Sequence, residues 1–166
     1  MKQFRAFVIK EFYHIFRDRR TMLILLGMPV AQILIFGFAI NMEVTDIAVA
    51  VLDTSRDTYT NQIVERIDAN SYFHVDYYVH SQNDIDDLFK QNKIDLAIVF
   101  PNSFNEDLIY SKQADIQLIS DTSDPNTGTI IVNYATGVIA DYQKEINNMS
   151  GNPPYQIATT TRMLYN

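Results

Sequence analysis

Three hydrophobic patterns follow one another along this chain, and each predicts a different element. Between Gln3 and Arg17 apolar residues recur at helical spacing. At about 100° per residue, Phe4, Val8, Phe12 and Ile15 share one face, with Ile9 and Phe16 at its margin. Gln3, Lys10, His14 and Arg17 share the opposite face. Arg5 breaks the pattern, as a long side chain that can snorkel to a headgroup. The pattern predicts a basic amphipathic helix lying at a membrane interface, with lipid against its aromatic face.

From Thr21 to Met42 there are 22 residues without a charge. As a helix they would span about 33 Å, enough to cross the hydrocarbon core of a bilayer. The run is longer than the hydrophobic region of a signal peptide and ends Phe38-Ala39-Ile40-Asn41-Met42-Glu43 without a small-x-small site, so a retained span is predicted. Inside it, Pro29 removes a backbone donor and marks a kink or hinge. Gln32 offers a hydrogen bond that lipid cannot return, which suits packing against another helix. Gly27 and Gly37 are ten apart and make no GxxxG pair, so Gly37 is a helix-packing candidate only as a single small residue.

From Asp46 the period changes again. Ile47 to Leu52 is a nearly continuous apolar run, as in a strand buried on both faces. Tyr72–Val79, Leu96–Phe100 and Asp115–Ser120 predict further strands. Helices are predicted around Ile63, Val64 and Ile67, over Ser81–Lys90, from a Ser103 cap through Tyr110, and from Thr129 to about Asn148. This alternation predicts a small α/β domain with a mostly parallel sheet of about four strands in the order 2-1-3-4. Residues 1–20 then form the interfacial helix, 21–42 the span, 43–150 the α/β domain, and 151–166 a turn-rich linker around Gly151-Asn152-Pro153-Pro154. The ending Leu164-Tyr165-Asn166 closes no domain and reads as a fragment.

Charge gives the membrane reading a direction. Residues 1–20 carry six basic and two acidic side chains, and the remainder seven basic and eighteen acidic. The positive-inside rule therefore places the N-terminus in the cytoplasm and everything after about residue 43 outside it. The acidic balance argues against a nucleic-acid partner. With no cysteine there is no disulfide or thiol chemistry.

Candidate chemistry is thin. Asp86 with Asp87, Glu106 with Asp107 and Asp121 with Asp124 read as helix-start and surface acids rather than a catalytic pair. His74 and His80 lack the spacing of a metal site. No phosphate-binding glycine loop and no G-x-S-x-G elbow occurs. The stretch Asp121 to Gly128 fails as a calcium loop, because Pro125 and Asn126 stand where a ligand and a glycine are needed. It reads instead as the start of the long helix, capped by Asn126 or Thr127. No catalytic, cofactor-binding or metal residue is assigned.

Several short motifs, taken in order, carry a resemblance. These are Lys10-Glu11-Phe12, Arg17-Asp18-Arg19-Arg20, Pro29, Phe36-Gly37-Phe38-Ala39-Ile40, Val49-Ala50-Val51-Leu52-Asp53, Ile94 to Pro101 with Phe104, and Asp121 to Thr127. In that order and spacing the chain resembles the N-terminal half of an ABC-2 type permease. The resemblance implies a permease subunit of an exporter in the bacterial inner membrane, not itself an enzyme and without a cofactor. It implies a separate cytoplasmic ABC ATPase as partner, a second permease subunit, and in bacteria with two membranes a periplasmic adaptor. It places Lys10, Glu11, Arg17 and Asp18 where an ATPase could push on the interfacial helix. A single-span anchored binding or sensor domain is the alternative, and a gene continuing past Asn166 into further apolar runs would separate the two.

Overall fold

One residue, Asp18, separates the two helices that the first patterns predict: α1 over Lys2–Arg17 and α2 over Arg19–Ala39. The computed structural model describes residues 2–39, 44–121, 124–150 and 154–164. It divides into two units, Met1–Glu43 and Val44–Asn166. The predicted end of the span at Met42 and the start of the outer domain at residue 43 lie outside the described residues.

The second unit runs β1 (Ile47–Asp53), α3 (Thr58–Asp68), β2 (Phe73–Tyr78), α4 (Gln82–Lys90), β3 (Leu96–Phe100), α5 (Phe104–Glu106), β4 (Gln113–Asp121), α6 (Pro125–Ser150) and β5 (Gln156–Leu164). The sheet order is β2-β1-β3-β4-β5. β1 pairs parallel with both β2 and β3, and β4 pairs parallel with β5, while β3 and β4 are antiparallel. The sheet is thus mostly parallel and begins in the expected order, but it has five strands rather than about four.

The extra strand corrects the assignment of 151–166 to a linker, since β5 lies along β4 from Gln113↔Gln156 to Asp121↔Leu164. Ile157 is its one buried hydrophobic residue, so its apolar alternation is too weak to read. The antiparallel joint has a physical cause. Between β3 and β4 the chain has only the short α5 and one π-helical turn, Asp107–Ser111, closed by Lys112 at φ 58°. A full crossover helix from Ser103 through Tyr110 was the expectation. Ser103 makes no backbone cap there and donates instead to the Asp107 carboxylate at 2.6 Å.

Apolar residues line both sides of the sheet, as the run at β1 predicts. On one face Val49, Val51, Leu96, Ile98, Phe100, Ile116 and Leu118 pack against Ile63 and Ile67 of α3, Phe104, and Ile131, Ala135, Ile139 and Tyr142 of α6. On the other, Ala50, Leu52, Ala97 and Ile119 meet Ile85 and Phe89 of α4. Tyr142 ties α6 to α3: its hydroxyl donates to Gln62 Oε1 at 2.8 Å, and Arg66 lies 5.1 Å over its ring while pairing with Glu145 at 2.6 Å. Burial pushes the Tyr142 phenol up to about 12.

Helix starts are set by side chains. Asp57 accepts from Tyr59 N and Thr60 N to begin α3, and Ser81 forms a reciprocal capping box with Asp84 at α4. At α6 Pro125 takes the first helical position, as its missing N–H permits. The cap there is Asp124 rather than Asn126 or Thr127: its carboxylate accepts from Asn126 N at 3.0 Å and from the Thr127 hydroxyl at 2.8 Å.

The Ser81 hydroxyl, with the His80 N–H, holds the Asp84 carboxyl below its ordinary 3.8, and the Thr127 hydroxyl with the Asn126 N–H does so for Asp124. A depressed folded value means that stability is fully present above the ordinary value and is lost as pH falls through the folded one. Thermal unfolding of the full chain in detergent should therefore show a midpoint that drops below about pH 4, and an Asp84→Asn, Asp124→Asn variant should show a shallower drop.

Two glycines of α6 should respond in opposite directions. A Cβ on Gly128 would meet the Asp121 carbonyl oxygen at 2.7 Å and Ser120 Oγ at 3.0 Å, whereas Gly137 has nothing within 4 Å. Gly128→Ala should cost about 1–3 kcal/mol, and Gly137→Ala should add about 1 kcal/mol, read by urea unfolding of the full chain.

Candidate functional site

Two places gather the side chains that could act: the junction of α1 with α2, and a crevice in the α/β unit. At the junction, backbone bonds run almost through the break, from Asp18 N to His14 O at 3.3 Å and from Met22 N to Asp18 O at 3.0 Å. The Asp18 carboxylate then begins α2, accepting from Arg20 N at 3.0 Å and from the Thr21 hydroxyl at 2.8 Å. The Thr21 hydroxyl first, and the Arg20 N–H second, hold the Asp18 carboxyl below its ordinary range. Of the four candidate contact residues, Asp18 therefore has a structural task that the sequence reading missed. The signal was present in Asp18-x-x-Thr21, a capping spacing hidden by the basic residues around it.

The other three stand on the surface of α1. Lys10 and Glu11 are adjacent, 3.9 Å apart and largely exposed, so their pairing contributes little. Lys10 and Arg17 are seven residues apart and share a face, and Arg17 with His14 lies in the last turn, where cations suit the helix dipole. The aromatic side is uncovered too: Phe4 is 74% exposed and Phe16 59%.

α2 is uncovered over its described length apart from Met22, although it carries Leu23, Ile24, Leu25, Leu26, Ile33 and Ile35. By length and composition Arg19–Gly37 can cross a membrane. The helix continues through Pro29 without interruption. Gln32 is exposed, and a Cβ on Gly37 would meet nothing within 4 Å. Among the described residues of this unit, Pro29, Gln32 and Gly37 are not brought onto any partner.

The crevice, about 330 Å³, lies at the C-terminal ends of β1 and β2 and is lined by Val51, Asp53, Arg56, Asn61, Val64, Tyr78, Val79 and His80. Ends of parallel strands are where open α/β sheets place ligands. Here the acid is already occupied: Asp53 accepts from Ser55 N at 3.0 Å, Arg56 N at 2.9 Å and the buried Thr60 hydroxyl at 2.7 Å. These three bonds tie the ends of the loop together and make it a structural clasp. His74 sits apart on β2, between Asp46 at 3.5 Å and Asp76 at 3.1 Å. Among the described residues no group of three or more His, Asp or Glu is placed to hold a metal ion. Thr122 and Ser123 of the loop before α6 lie outside the described residues.

The family described as ABC-2 family transporter protein matches residues 19–166. The probable multidrug ABC transporter permease YbhR of Escherichia coli K12 is 28% identical over 158 residues, covering 95% of this chain and 42% of that protein. The probable multidrug ABC transporter permease YbhS of the same organism is 27% identical over 145 residues, covering 87% of this chain and 38% of that protein. The chain thus spans about two fifths of the length of the curated relatives it matches. A crystal structure of a domain assigned to an ABC type-2 transporter from Thermotoga maritima MSB8 shares the fold, with a TM-score of 0.50 at 16% identity over 70% of this chain and 86% of that one.

The two roles open to Asp18, cap and charged contact, separate by substitution. Asp18→Ser keeps a capping oxygen and Asp18→Ala does not. Amide exchange at Arg20 and Thr21 of the full chain in nanodiscs should be several-fold faster in the alanine variant and near wild type in the serine variant.

Proposed function

Because the chain belongs to the ABC-2 family of transporter proteins, we propose that it is the N-terminal part of the permease subunit of an ABC exporter. A separate cytoplasmic ATPase drives that exporter, and this part carries the first coupling element. The observation that supports this most directly is the one-residue junction at Asp18. It joins a basic amphipathic helix to an apolar helix long enough to span, with no slack between them.

The physical argument follows from that junction. α1 rests at the cytoplasmic interface with its aromatic face in lipid, Lys10 and Arg17 toward the cytosol, and Glu11 at the edge of the aromatic face. A push on α1 from a nucleotide-driven partner has no flexible linker in which to dissipate, and so it tilts α2. Pro29 lowers the cost of bending part-way along the span, and Gln32 and Gly37 are available for helices of the same permease or of a second permease subunit. The acidic α/β unit lies outside the cytoplasm, where it meets a periplasmic adaptor or shapes the exit path. The relatives' names make multidrug efflux across the inner membrane the first activity to assay.

Topology and coupling are tested together in the full-length protein. A membrane-impermeant maleimide on intact spheroplasts should label a cysteine placed at Asn133 and spare one placed at Gln3; the reverse pattern would end the reading. Arg17→Glu should abolish most substrate-stimulated ATP turnover by the permease–ATPase complex while expression and membrane insertion stay normal. Unchanged turnover would remove α1 from the coupling route.

A further inference from the structure

The two edges of the sheet are treated differently. β2 is guarded: its pairing slips between Val49 and Ala50, Asp68 accepts from Val75 N at 2.8 Å, and Asp76 sits beside His74. Such irregularities and charges are how natural edges refuse a further strand. β5 has nine residues, no proline and an unbroken register along β4. Its parity is fixed by Gln156, whose N–H donates to Lys112 O at 2.7 Å. Gln156, Ala158, Thr160 and Arg162 therefore turn their backbone groups toward β4, and Ile157, Thr159, Thr161 and Met163 turn theirs outward. The first outward N–H is covered, because Ile157 N donates to Gln143 Oε1 at 2.7 Å. Among the described residues nothing takes up those of Thr159, Thr161 and Met163.

We propose that this edge pairs antiparallel with β5 of a second copy of the chain, Thr160 facing Thr160 across the two-fold axis. In that register Thr159 and Thr161 of opposite copies exchange backbone hydrogen bonds. Ile157 meets Met163, which is otherwise 43% exposed, and threonines face threonines, a favourable cross-strand pairing.

Charge selects this register over its neighbours. Arg162 and Asp115 are both exposed, and within one copy neither has an ion pair among the described residues. Asp115 lies beside Ala158, and Arg162 beside Ile119, so they cannot reach each other. With Thr160 on the axis, Arg162 of the second copy falls opposite Ala158, on the face that carries Asp115. Ala158 is small enough for the guanidinium to extend over it to that carboxylate, and the two-fold makes the contact twice. Sliding one strand by two residues would bring Arg162 against Thr160 instead and lose both contacts.

A single strand pair is small beside the roughly 1,600 Å² of a standard interface. The pairing therefore needs two copies already held together, and in this it rests on the permease reading above.

The test uses the full-length protein in native membranes, in a background without other cysteines. Under mild oxidation Thr160→Cys should give a disulfide-linked dimer, Arg162→Cys alone should give none, and Ala158→Cys with Arg162→Cys should again cross-link. Asn83→Cys, on exposed α4, sets the collisional background. Asp115→Arg should lower the Thr160→Cys yield several-fold, and adding Arg162→Asp should restore it. No dimer above background at Thr160, or a dimer at Arg162 alone, overturns the proposal. Co-purification of two differently tagged copies is read in parallel: if they co-purify without the cross-link only the edge pairing fails, and if they do not, the paired-permease reading fails with it.

Discussion

Water is the wrong solvent for α2. A helix of 21 residues that is apolar around its circumference and uncovered from Leu23 to Gly37 would hold each exposed Leu or Ile in water at a cost of about 1.5–3 kcal/mol. Lipid or other helices remove that cost, and everything else about the N-terminal unit follows from the choice. Basic residues gather at one end of α2, where headgroups can receive them. α1 likewise leaves the aromatic residues Phe4 and Phe16 exposed. Asp18 closes the junction because a helix start needs its N–H groups answered before they meet hydrocarbon.

The α/β unit obeys the opposite constraint and hides its apolar residues itself. The β1 strand has helices on both sides, α3 with α6 on one and α4 on the other. The loop after β1 turns through Arg56 at φ 50°, and three donors on Asp53 hold it. That clasp explains why an acid at the end of a parallel strand, a position common for catalysis, is spent on structure here.

Much of this was legible in the residues. The change from helical spacing before Arg17, to an uncharged run, to the solid apolar stretch at Ile47 marked α1, α2 and β1 as three different elements, and strong strands such as Leu96–Phe100 emerged with the expected bounds. What escaped had weak or competing signals. β5 is an edge strand with Thr159-Thr160-Thr161 at its centre, and its register comes from β4 rather than from its own pattern. α6 begins at Pro125 rather than Thr129, because the first helical position is the one where proline is welcome. Asp18 was read as a contact residue because charge is visible in a sequence and a hydroxyl three residues on is easily overlooked. The candidate residues of the span, Pro29, Gln32 and Gly37, stay exposed among the described residues of their unit.

The antiparallel joint between β3 and β4 has a topographic consequence. Across the sheet Val49, Leu96, Ser120 and Met163 fall in one row, so the last strand finishes at the end of the sheet where the first begins. Had every pairing been parallel, the polypeptide would leave at the far side, and a return of about 30 Å, the length of a nine-residue strand, would be needed to bring it back. With one reversal the doorway in and the doorway out open on the same end of the sheet, with β3 and β4 between them. A module built in this way can be hung from a single site in a larger architecture, and can grow or shrink between relatives without displacing what lies on either side of it.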